Sequence, residues 1–326
     1  MTTPPTTVPS TDIEVRGLTK SFGGFLAVDD LSFRVEPGRI TGFLGPNGSG
    51  KTTTLRMLLG LIRPTAGQGL IGGRRYAELP APLTTVGAAL EATNFHPGRS
   101  GRDHLRVLAG THGIPDSRVD AMLELVGIPA AARKRAGGYS MGMRQRLGLA
   151  AALLGDPRVL ILDEPSNGLD PEGIRWLRGL LRHLAGEGRT ILVSSHLLGE
   201  VEQTVDDVVI IANGHLVRQG TIEQLHGDPA TLVRAADPAH LAEALHGQGI
   251  TAEPATEHGP GALRALTGDM VRIGDVALVA GVAVHELRPL RTDLERLFLE
   301  LTEAPAHRNR NLTGDATPST STEEQA

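Results

Sequence analysis

The chain has 326 residues and a formal net charge of −5, which argues against a protein whose main partner is nucleic acid. Its length and its apolar content of 40% allow two folded domains with buried cores. Cysteine is absent, which excludes disulfides, thiolate catalysis and cysteine-ligated metals and permits a reducing cytoplasm. We expect neither a membrane span, which needs roughly twenty apolar residues, nor a secretory signal.

The N-terminal part predicts a tail followed by antiparallel strands. Residues 1–11 are rich in threonine and proline, which is typical of a disordered segment. Short apolar runs at 13–15 and 31–35 then predict strands. Phe22 lies between these runs, where its ring could stack on a purine or could belong to the core at a turn.

Residues 45–53 predict a phosphate-binding loop, because Gly-Pro-Asn-Gly-Ser-Gly-Lys-Thr-Thr fits the pattern G-x-x-x-x-G-K-[ST]. An apolar run at Ile40–Leu44 precedes the loop and a helix-like run at 53–61 follows it, as the pattern requires. Glycines let backbone N–H groups approach phosphate oxygens, and Lys51 is placed to reach the β- and γ-phosphates. Thr52 offers its hydroxyl to Mg²⁺. The binding residues expected here are Gly45, Asn47, Gly48, Gly50, Lys51, Thr52 and Thr53.

The middle of the chain predicts a helical segment and a second candidate anion site. Apolar residues recur at helical spacing between about 95 and 155, with breaks at 113–115 and 127–129. Ser140 and Gly142 belong to the stretch 137–142, which immediately precedes an unbroken helical run predicted at Met143–Leu154. Such a helix start can bind an anion, but serine is also an ordinary helix cap.

Three polar residues are expected at one edge of a parallel sheet. Residues 159–162 are consecutive β-favouring apolar residues, which predicts a strand buried on both faces. Asp163 and Glu164 follow at its carboxyl end, where open α/β sheets bind ligands. Neighbouring strand residues point in opposite directions, so we expect Asp163 to reach Mg²⁺ and Glu164 to orient a water. The strand predicted at Thr190–Ser195 brings His196 to the same edge.

In motif order, residues 12–225 resemble the nucleotide-binding domain of ABC transporters. Residues 45–53 and 159–165 resemble the two Walker motifs of that family, and residues 140–145 occupy the place of its signature. The resemblance implies an α/β fold: a P-loop NTPase core with an antiparallel β subdomain and a helical subdomain at about 95–155. It also implies ATP and Mg²⁺ as cofactors and a head-to-tail homodimer.

The same resemblance implies roles for single residues. Phe22 would stack on adenine, Asp170 would lie in the D-loop, and His196 would be the switch histidine. Ser140 and the backbone of Gly142 would bind the γ-phosphate of ATP held by the other subunit, so that one subunit alone has an incomplete site. The implied catalytic residues are Glu164, His196 and Lys51, and the implied metal ligands are Thr52 and Asp163.

Two features depart from the usual family pattern. The signature has Met141 and Met143 where a glycine and a glutamine are usual, and Glu91 stands where the family usually has a lid-loop glutamine. A carboxylate near Mg²⁺ and the γ-phosphate adds negative charge, so we expect Glu91 to act through water or metal. Both departures resemble the drug and antibiotic exporters of the bacitracin and daunorubicin resistance type.

The C-terminal part predicts a small α+β domain at residues 226–302, similar to one carried by many exporter ATPases. We find no catalytic constellation in it, and packing, dimer support and regulation are equally open roles. Residues 303–326 are rich in threonine, serine and glutamate and predict a second disordered tail. Strands are expected at 231–234, 263–266 and 284–287, and helices at 238–245, 271–280 and 292–301.

The leading functional hypothesis is an ATPase subunit that powers a membrane exporter of a drug, antibiotic or lipid-like substrate. A separate permease is expected to dock over Glu91 and residues 95–105, which places the chain at the cytoplasmic face of the membrane. One alternative is a soluble ABC-type ATPase with a non-membrane partner, which usually carries two nucleotide-binding halves or a long coiled coil. The other is a nucleotide-gated regulatory binder. Against it argues the complete set of Lys51, Asp163, Glu164 and His196.

Overall fold

The computed structural model describes residues 11–90, 95–197, 199 and 202–290. Two compact units are present, with the boundary between Gln219 and Gly220. Glu91, the helix predicted at 292–301 and most of both predicted tails lie outside the described residues. Among the residues that are described, none of the helices is long and apolar enough to cross a membrane.

The described chain contains both strands and helices. The strands are β1 (Ile13–Phe22), β2 (Phe25–Val35), β3 (Ile40–Leu44), β4 (Ala66–Ile71), β5 (Val86–Ala89), β6 (Val159–Asp163), β7 (Thr190–Ser195), β8 (Asp207–Ala212), β9 (His215–Thr221), β10 (Ala230–Ala235), β11 (Ala252–Pro254), β12 (Ala262–Ala265) and β13 (Val284–Leu290). The helices are α1 (Lys51–Leu58), α2 (Pro82–Thr85), α3 (Gly101–Gly110), α4 (Asp116–Leu125), α5 (Met141–Leu153), α6 (Pro171–Gly186), α7 (Ile222–His226), α8 (Pro238–Gly247) and α9 (Met270–Val279).

The first unit contains the predicted parallel sheet, with strand order β5-β6-β7-β3-β8-β9. The pairs formed by β3, β5, β6, β7 and β8 are parallel. Every residue of β3 and β6 is buried, as expected for strands covered on both faces. Because β6, β7 and β3 are neighbours, the residues that follow their carboxyl ends meet at one edge of the sheet.

The antiparallel β subdomain is also confirmed, as a sheet with strand order β2-β1-β4. Its β1–β2 hairpin pairs Phe22 with Phe25 across a turn of two glycines. The core of this unit lies between the two sheets and α1, and the rings of Phe33 and Phe43 stack there with centroids 5.2 Å apart. Packing of this kind fixes the position of β3, from which the predicted phosphate loop emerges.

Two predicted helix boundaries are corrected by the backbone. The helix expected at 53–61 begins at Lys51 and ends at Leu58, because Gly50 (φ 102°) starts it and Gly60 (φ 69°) leaves helical geometry. The helix predicted at Met143–Leu154 begins two residues earlier, at Met141, and ends at Leu153, because the Ser140 side chain caps it by accepting a hydrogen bond from the Met143 N–H.

The second unit is a four-stranded antiparallel sheet with strand order β11-β12-β10-β13 and the helices α8 and α9. This β-α-β-β-α-β succession is the ferredoxin-like arrangement. Its core includes Val233, Leu241 and Ile273. The elements predicted between 231 and 287 agree with the structure to within three residues, but β11 was not predicted, because three residues ending in proline give almost no strand signal.

Candidate functional site

The loop between β3 and α1 is built so that a ligand can approach its backbone. A Cβ at Gly45 would lie 2.4 Å from Ser49 Oγ, and a Cβ at Gly50 would lie 2.6 Å from the Ala27 carbonyl oxygen. Gly48 has a φ of 82° and no atom within 4 Å of a Cβ position, so this side of the loop is open. The buried Ser49 hydroxyl has no hydrogen-bond partner in the described part of the chain. These features fit a loop that cradles an anion.

Lys51 supplies the positive charge of this loop from a buried position. Its side chain is only 6% exposed, and its Nζ donates to the carbonyl oxygens of Gly45 at 2.7 Å and of Pro46 at 3.3 Å. Burial lowers the pKa of Lys51, whereas the nearby carboxylates of Glu164 and Asp163 raise it. An anion bound in the loop would favour the charged form of Lys51 further, because it adds negative charge beside a poorly hydrated ammonium group.

Thr52 and Asp163 form an oxygen-rich pair beside Lys51. The Thr52 hydroxyl donates to Asp163 Oδ2 at 2.7 Å, and the Ser194 hydroxyl donates to the other carboxylate oxygen. Asp163 is buried at 7% exposure, so its orientation is fixed by these two contacts. Although the described residues contain no group of three acidic, histidine or cysteine side chains fit for a metal, a hydroxyl and a carboxylate suit Mg²⁺, which keeps several waters.

Glu164 and His196 form the second polar pair at this edge of the sheet. Glu164 Oε2 and His196 Nδ1 are 2.9 Å apart, and Glu164 Oε1 lies 3.7 Å from Lys51 Nζ. The Glu164 side chain is 19% exposed, so a water can reach a carboxylate that neighbouring groups orient. Such a carboxylate can act as a general base. The predicted roles of Asp163 and Glu164 differ, and the two acids indeed have different partners.

Phe22 lies at the end of the β1–β2 hairpin and is 45% exposed, so the alternative of a core residue is excluded. Lys20 Nζ is 4.8 Å from the centroid of its ring. Phe25, paired with Phe22 and 42% exposed, was not identified from the sequence. The strand that carries Phe25 touches the phosphate loop at Ala27, which places an exposed aromatic surface beside that loop.

Three other predicted site residues, Ser140, Gly142 and Asp170, lie in the signature and D-loop segments rather than in the phosphate loop of their own chain. Ser140 is exposed and caps α5, and Asp170 caps α6 by accepting a hydrogen bond from the Gly173 N–H at 2.8 Å. A Cβ at Gly142 would lie 3.1 Å from the Gly168 carbonyl oxygen, so the signature and D-loop segments touch each other. Within the described ranges, no hydrogen bond joins Ser140 to residues 45–53.

Two buried polar residues of the site were not predicted. Ser194 lies within the predicted strand Thr190–Ser195, and its hydroxyl contacts both Asp163 and the backbone N–H of Glu164. Gln145 lies at the end of the signature, residues 140–145, and its side chain donates to the Glu164 carbonyl oxygen. No local pattern identifies either contact, because the partners are 30 and 19 residues apart in the chain.

The loop before α1 is rich in glycine and carries a lysine, and the loop threonine contacts a carboxylate from another parallel strand of the same sheet. Together these features define a P-loop nucleoside triphosphatase. Residues 28–167 match the family model for ABC transporters, and residues 229–295 match that of a domain of unknown function. The chain therefore contains the cassette core and a second recognised segment.

Two curated relatives and one solved structure give the same classification. The chain is 36% identical to an uncharacterised ABC transporter ATP-binding protein of Bacillus subtilis (strain 168), over 90% of this chain and 96% of that protein. It is 46% identical to the bacitracin transport ATP-binding protein BcrA of Bacillus licheniformis, over 66% of this chain and 72% of that protein. A solved ATP-binding subunit of an ABC transporter matches with a TM-score of 0.60 and 28% identity, over 66% of this chain and 92% of that one.

The chain belongs to the ABC transporter ATP-binding proteins, and it is a nucleotide-binding ATPase. The predicted family and the predicted P-loop NTPase fold class are thereby confirmed.

Proposed function

We propose that this chain is the ATP-hydrolysing subunit of a membrane exporter and works as a homodimer with a separate permease. The observation that carries the proposal is the joint placement of Lys51, Asp163 and Glu164. The Lys51 ammonium group lies 3.7 Å from the Glu164 carboxylate, and Asp163 accepts a hydrogen bond from the Thr52 hydroxyl. Lys51 can thus bind phosphate, Asp163 the metal and Glu164 the water, all at the same edge of the sheet.

ATP would bind with its β- and γ-phosphates in the loop at 45–53. Lys51 would exchange its contacts with Gly45 and Pro46 for phosphate oxygens, to which an ammonium group binds more strongly than to neutral carbonyls. Thr52 and Asp163 would hold Mg²⁺, which when bound neutralises charge on the phosphates. Backbone N–H groups at the start of α1 add hydrogen-bond donors that do not titrate.

Glu164 would accept a proton from the attacking water as the water oxygen bonds to the γ-phosphorus. The bond from that phosphorus to the β,γ-bridging oxygen breaks at the same time, and ADP and phosphate leave. The contact with His196 Nδ1 at 2.9 Å orients the Glu164 carboxylate and leaves its other oxygen on the side of Lys51. His196 is 32% exposed, so it can also reach the γ-phosphate from the same edge. Catalysis would come mainly from positioning and from charge stabilisation, as in other phosphoryl transfers.

A second copy of the chain would complete the site. Ser140 is exposed at the start of α5 and makes no contact with its own phosphate loop among the described hydrogen bonds. In a head-to-tail dimer, Ser140 and the Gly142 N–H would contact the γ-phosphate of ATP on the partner's loop, while Asp170 would lie beside the interface. Two sites would then form only when two chains close around two ATP molecules.

The Phe22→Ala variant tests the proposed adenine contact. We expect its affinity for ATP to fall by about tenfold, because base–aromatic stacking contributes roughly 1–3 kcal/mol. Inhibition of ATP hydrolysis by inorganic triphosphate, which has no base, should be unchanged. Both are measured by titration of purified protein. An equal loss of affinity for ATP and triphosphate would contradict the stacking role, because only ATP has a base that can stack on Phe22.

Export is proposed from the relatives, since BcrA is named for bacitracin transport and is 46% identical to this chain over 219 residues. Co-expression with the proposed permease tests the proposal. We expect the chain to sediment with membranes only when the permease is present, and to lie on their cytoplasmic side. We also expect the two proteins together to confer resistance to a drug or antibiotic. Recovery away from membranes in both cases, with undiminished ATPase activity, would favour an ATPase with a non-membrane partner.

A further inference from the structure

Gln145 is a buried amide whose side chain contacts the backbone of the proposed catalytic glutamate. It lies in the second turn of α5 and is 8% exposed, and its Nε2 donates to the Glu164 carbonyl oxygen at 3.0 Å. Burying an amide costs free energy unless its hydrogen bonds are made. The contact with Glu164 therefore provides a physical reason for a glutamine at this position.

Glu164 needs such support because its backbone is in an unfavourable conformation. Its φ is +48°, in the left-handed region that residues other than glycine rarely adopt. Three hydrogen bonds hold it there: the carbonyl oxygen accepts from Gln145 and from the Asn167 N–H at 3.1 Å, and the Glu164 N–H donates to Ser194 Oγ at 2.9 Å. A strained residue persists at a site only when its surroundings fix it in this way.

We propose that Gln145 is a positioning residue that holds the Glu164 backbone in the left-handed turn and so aims its carboxylate at the attacking water. The inference rests on the proposed role of Glu164 as the general base. Loss of the Gln145 donor leaves the Glu164 carbonyl with a single partner and lets the turn relax. The carboxylate then moves away from His196, and a shift of about 1 Å is enough to lower a rate strongly.

The same contact links the two nucleotide sites of the proposed dimer. Ser140 lies five residues before Gln145, which is about 7.5 Å along a helix axis. In the dimer, Ser140 contacts the nucleotide on the partner's loop, whereas Gln145 holds Glu164 of its own subunit. A rigid helix therefore couples the filling of one site to the alignment of the base in the other.

The Gln145→Leu variant removes the donor and keeps most of the side-chain volume. We expect kcat for ATP hydrolysis to fall by about tenfold or more, with KM and the affinity for ATP within about twofold of wild type. The Hill coefficient for ATP should fall below the wild-type value, because α5 no longer links the filling of one site to the Glu164 of the other, although dimer closure around two ATP molecules remains. Without nucleotide, amide hydrogen exchange at residues 164–168 should be faster.

The matched control is Gln219→Leu. Gln219 also donates through Nε2 to a backbone carbonyl oxygen, that of Arg34 at 2.9 Å, but it is exposed and belongs to β9. We expect its kcat, Hill coefficient and exchange at residues 164–168 to equal those of wild type.

A second variant, Gln145→Glu, separates hydrogen bonding from packing. An ionised carboxylate cannot donate to the Glu164 carbonyl oxygen, but a protonated carboxyl can, and burial raises the pKa of such a group. The kcat of this variant relative to wild type should therefore rise as the pH falls from 8 to 6. A ratio that does not change with pH contradicts the proposal.

Two further results would overturn the inference. One is a Gln145→Leu variant with wild-type kcat and exchange. The other is a variant in which kcat and ATP affinity fall together with thermal stability, which would make Gln145 only a structural residue. Failure of the proposed function is a separate observation, namely Glu164→Gln protein that still turns over ATP.

Discussion

The Glu164→Gln variant is expected to lower kcat for ATP hydrolysis by about 10²–10⁴-fold, the usual contribution of a general base. Its affinity for ATP should stay within about threefold of wild type, because the phosphates are held by the loop and by Lys51 rather than by this carboxylate. Glutamine keeps the size of the side chain and can still contact His196, so that the change removes little more than the basic oxygen.

The control for this experiment is Glu172→Gln in the first turn of α6, where the side chain is exposed. It should leave kcat and affinity unchanged. Single-turnover kinetics on purified protein would measure both variants. If Glu164→Gln hydrolysed ATP within tenfold of the wild-type rate, Glu164 would not be the base and another route for the proton would be needed.

Replacing Lys51 with methionine should weaken ATP binding by about 100-fold or more, since a desolvated ammonium group contributes several kcal/mol to an anion site. Methionine fills the same buried space, so the fold should be retained. Removing Lys51 leaves the carboxylates of Glu164 and Asp163 without this cation, so we expect the variant to unfold at a somewhat lower temperature than wild type in the absence of ligand. Binding of a fluorescent ATP analogue measures the affinity, and thermal unfolding checks the fold.

The chain offers a matched control, because Lys20, Lys51 and Lys134 are its three lysines and Lys134 is exposed. The variant Lys134→Met should bind the analogue as wild type does. An equal loss of affinity for the analogue in both variants would indicate a long-range effect of net charge. It would contradict direct contact between Lys51 and the phosphates.

The phosphate loop and the acidic strand end were predictable because each is encoded within a few consecutive residues. The spacing of Gly45, Gly50 and Lys51 leaves few conformations for the loop, and four β-favouring residues before Asp163 indicate a buried strand. Since parallel strands share one carboxyl edge, the pattern also predicted that Glu164 and His196 would meet there, which they do at 2.9 Å.

The contacts that fix Glu164 could not be predicted in the same way. In the sequence, Gln145 cannot be distinguished from an exposed polar residue of a helix. Its burial depends on how α5 packs against residues far along the chain. The left-handed φ of Glu164 is equally hidden, because neither glutamate nor the following Pro165 indicates it. Phe22 was ambiguous for a related reason, since a single aromatic residue at a turn has no pattern that reports its exposure.

In the proposed dimer, each chain contributes half of each catalytic site. Light scattering of Glu164→Gln protein, which should bind ATP without hydrolysing it, measures whether ATP brings two chains together. With saturating ATP and Mg²⁺, the measured mass should rise from that of one chain, 34.4 kDa, to about twice that value. Adding Ser140→Arg should keep the protein monomeric, whereas adding Ser117→Arg on the exposed face of α4 should not. A protein that stays monomeric with ATP, or that dimerises equally well with Ser140→Arg, would contradict the account.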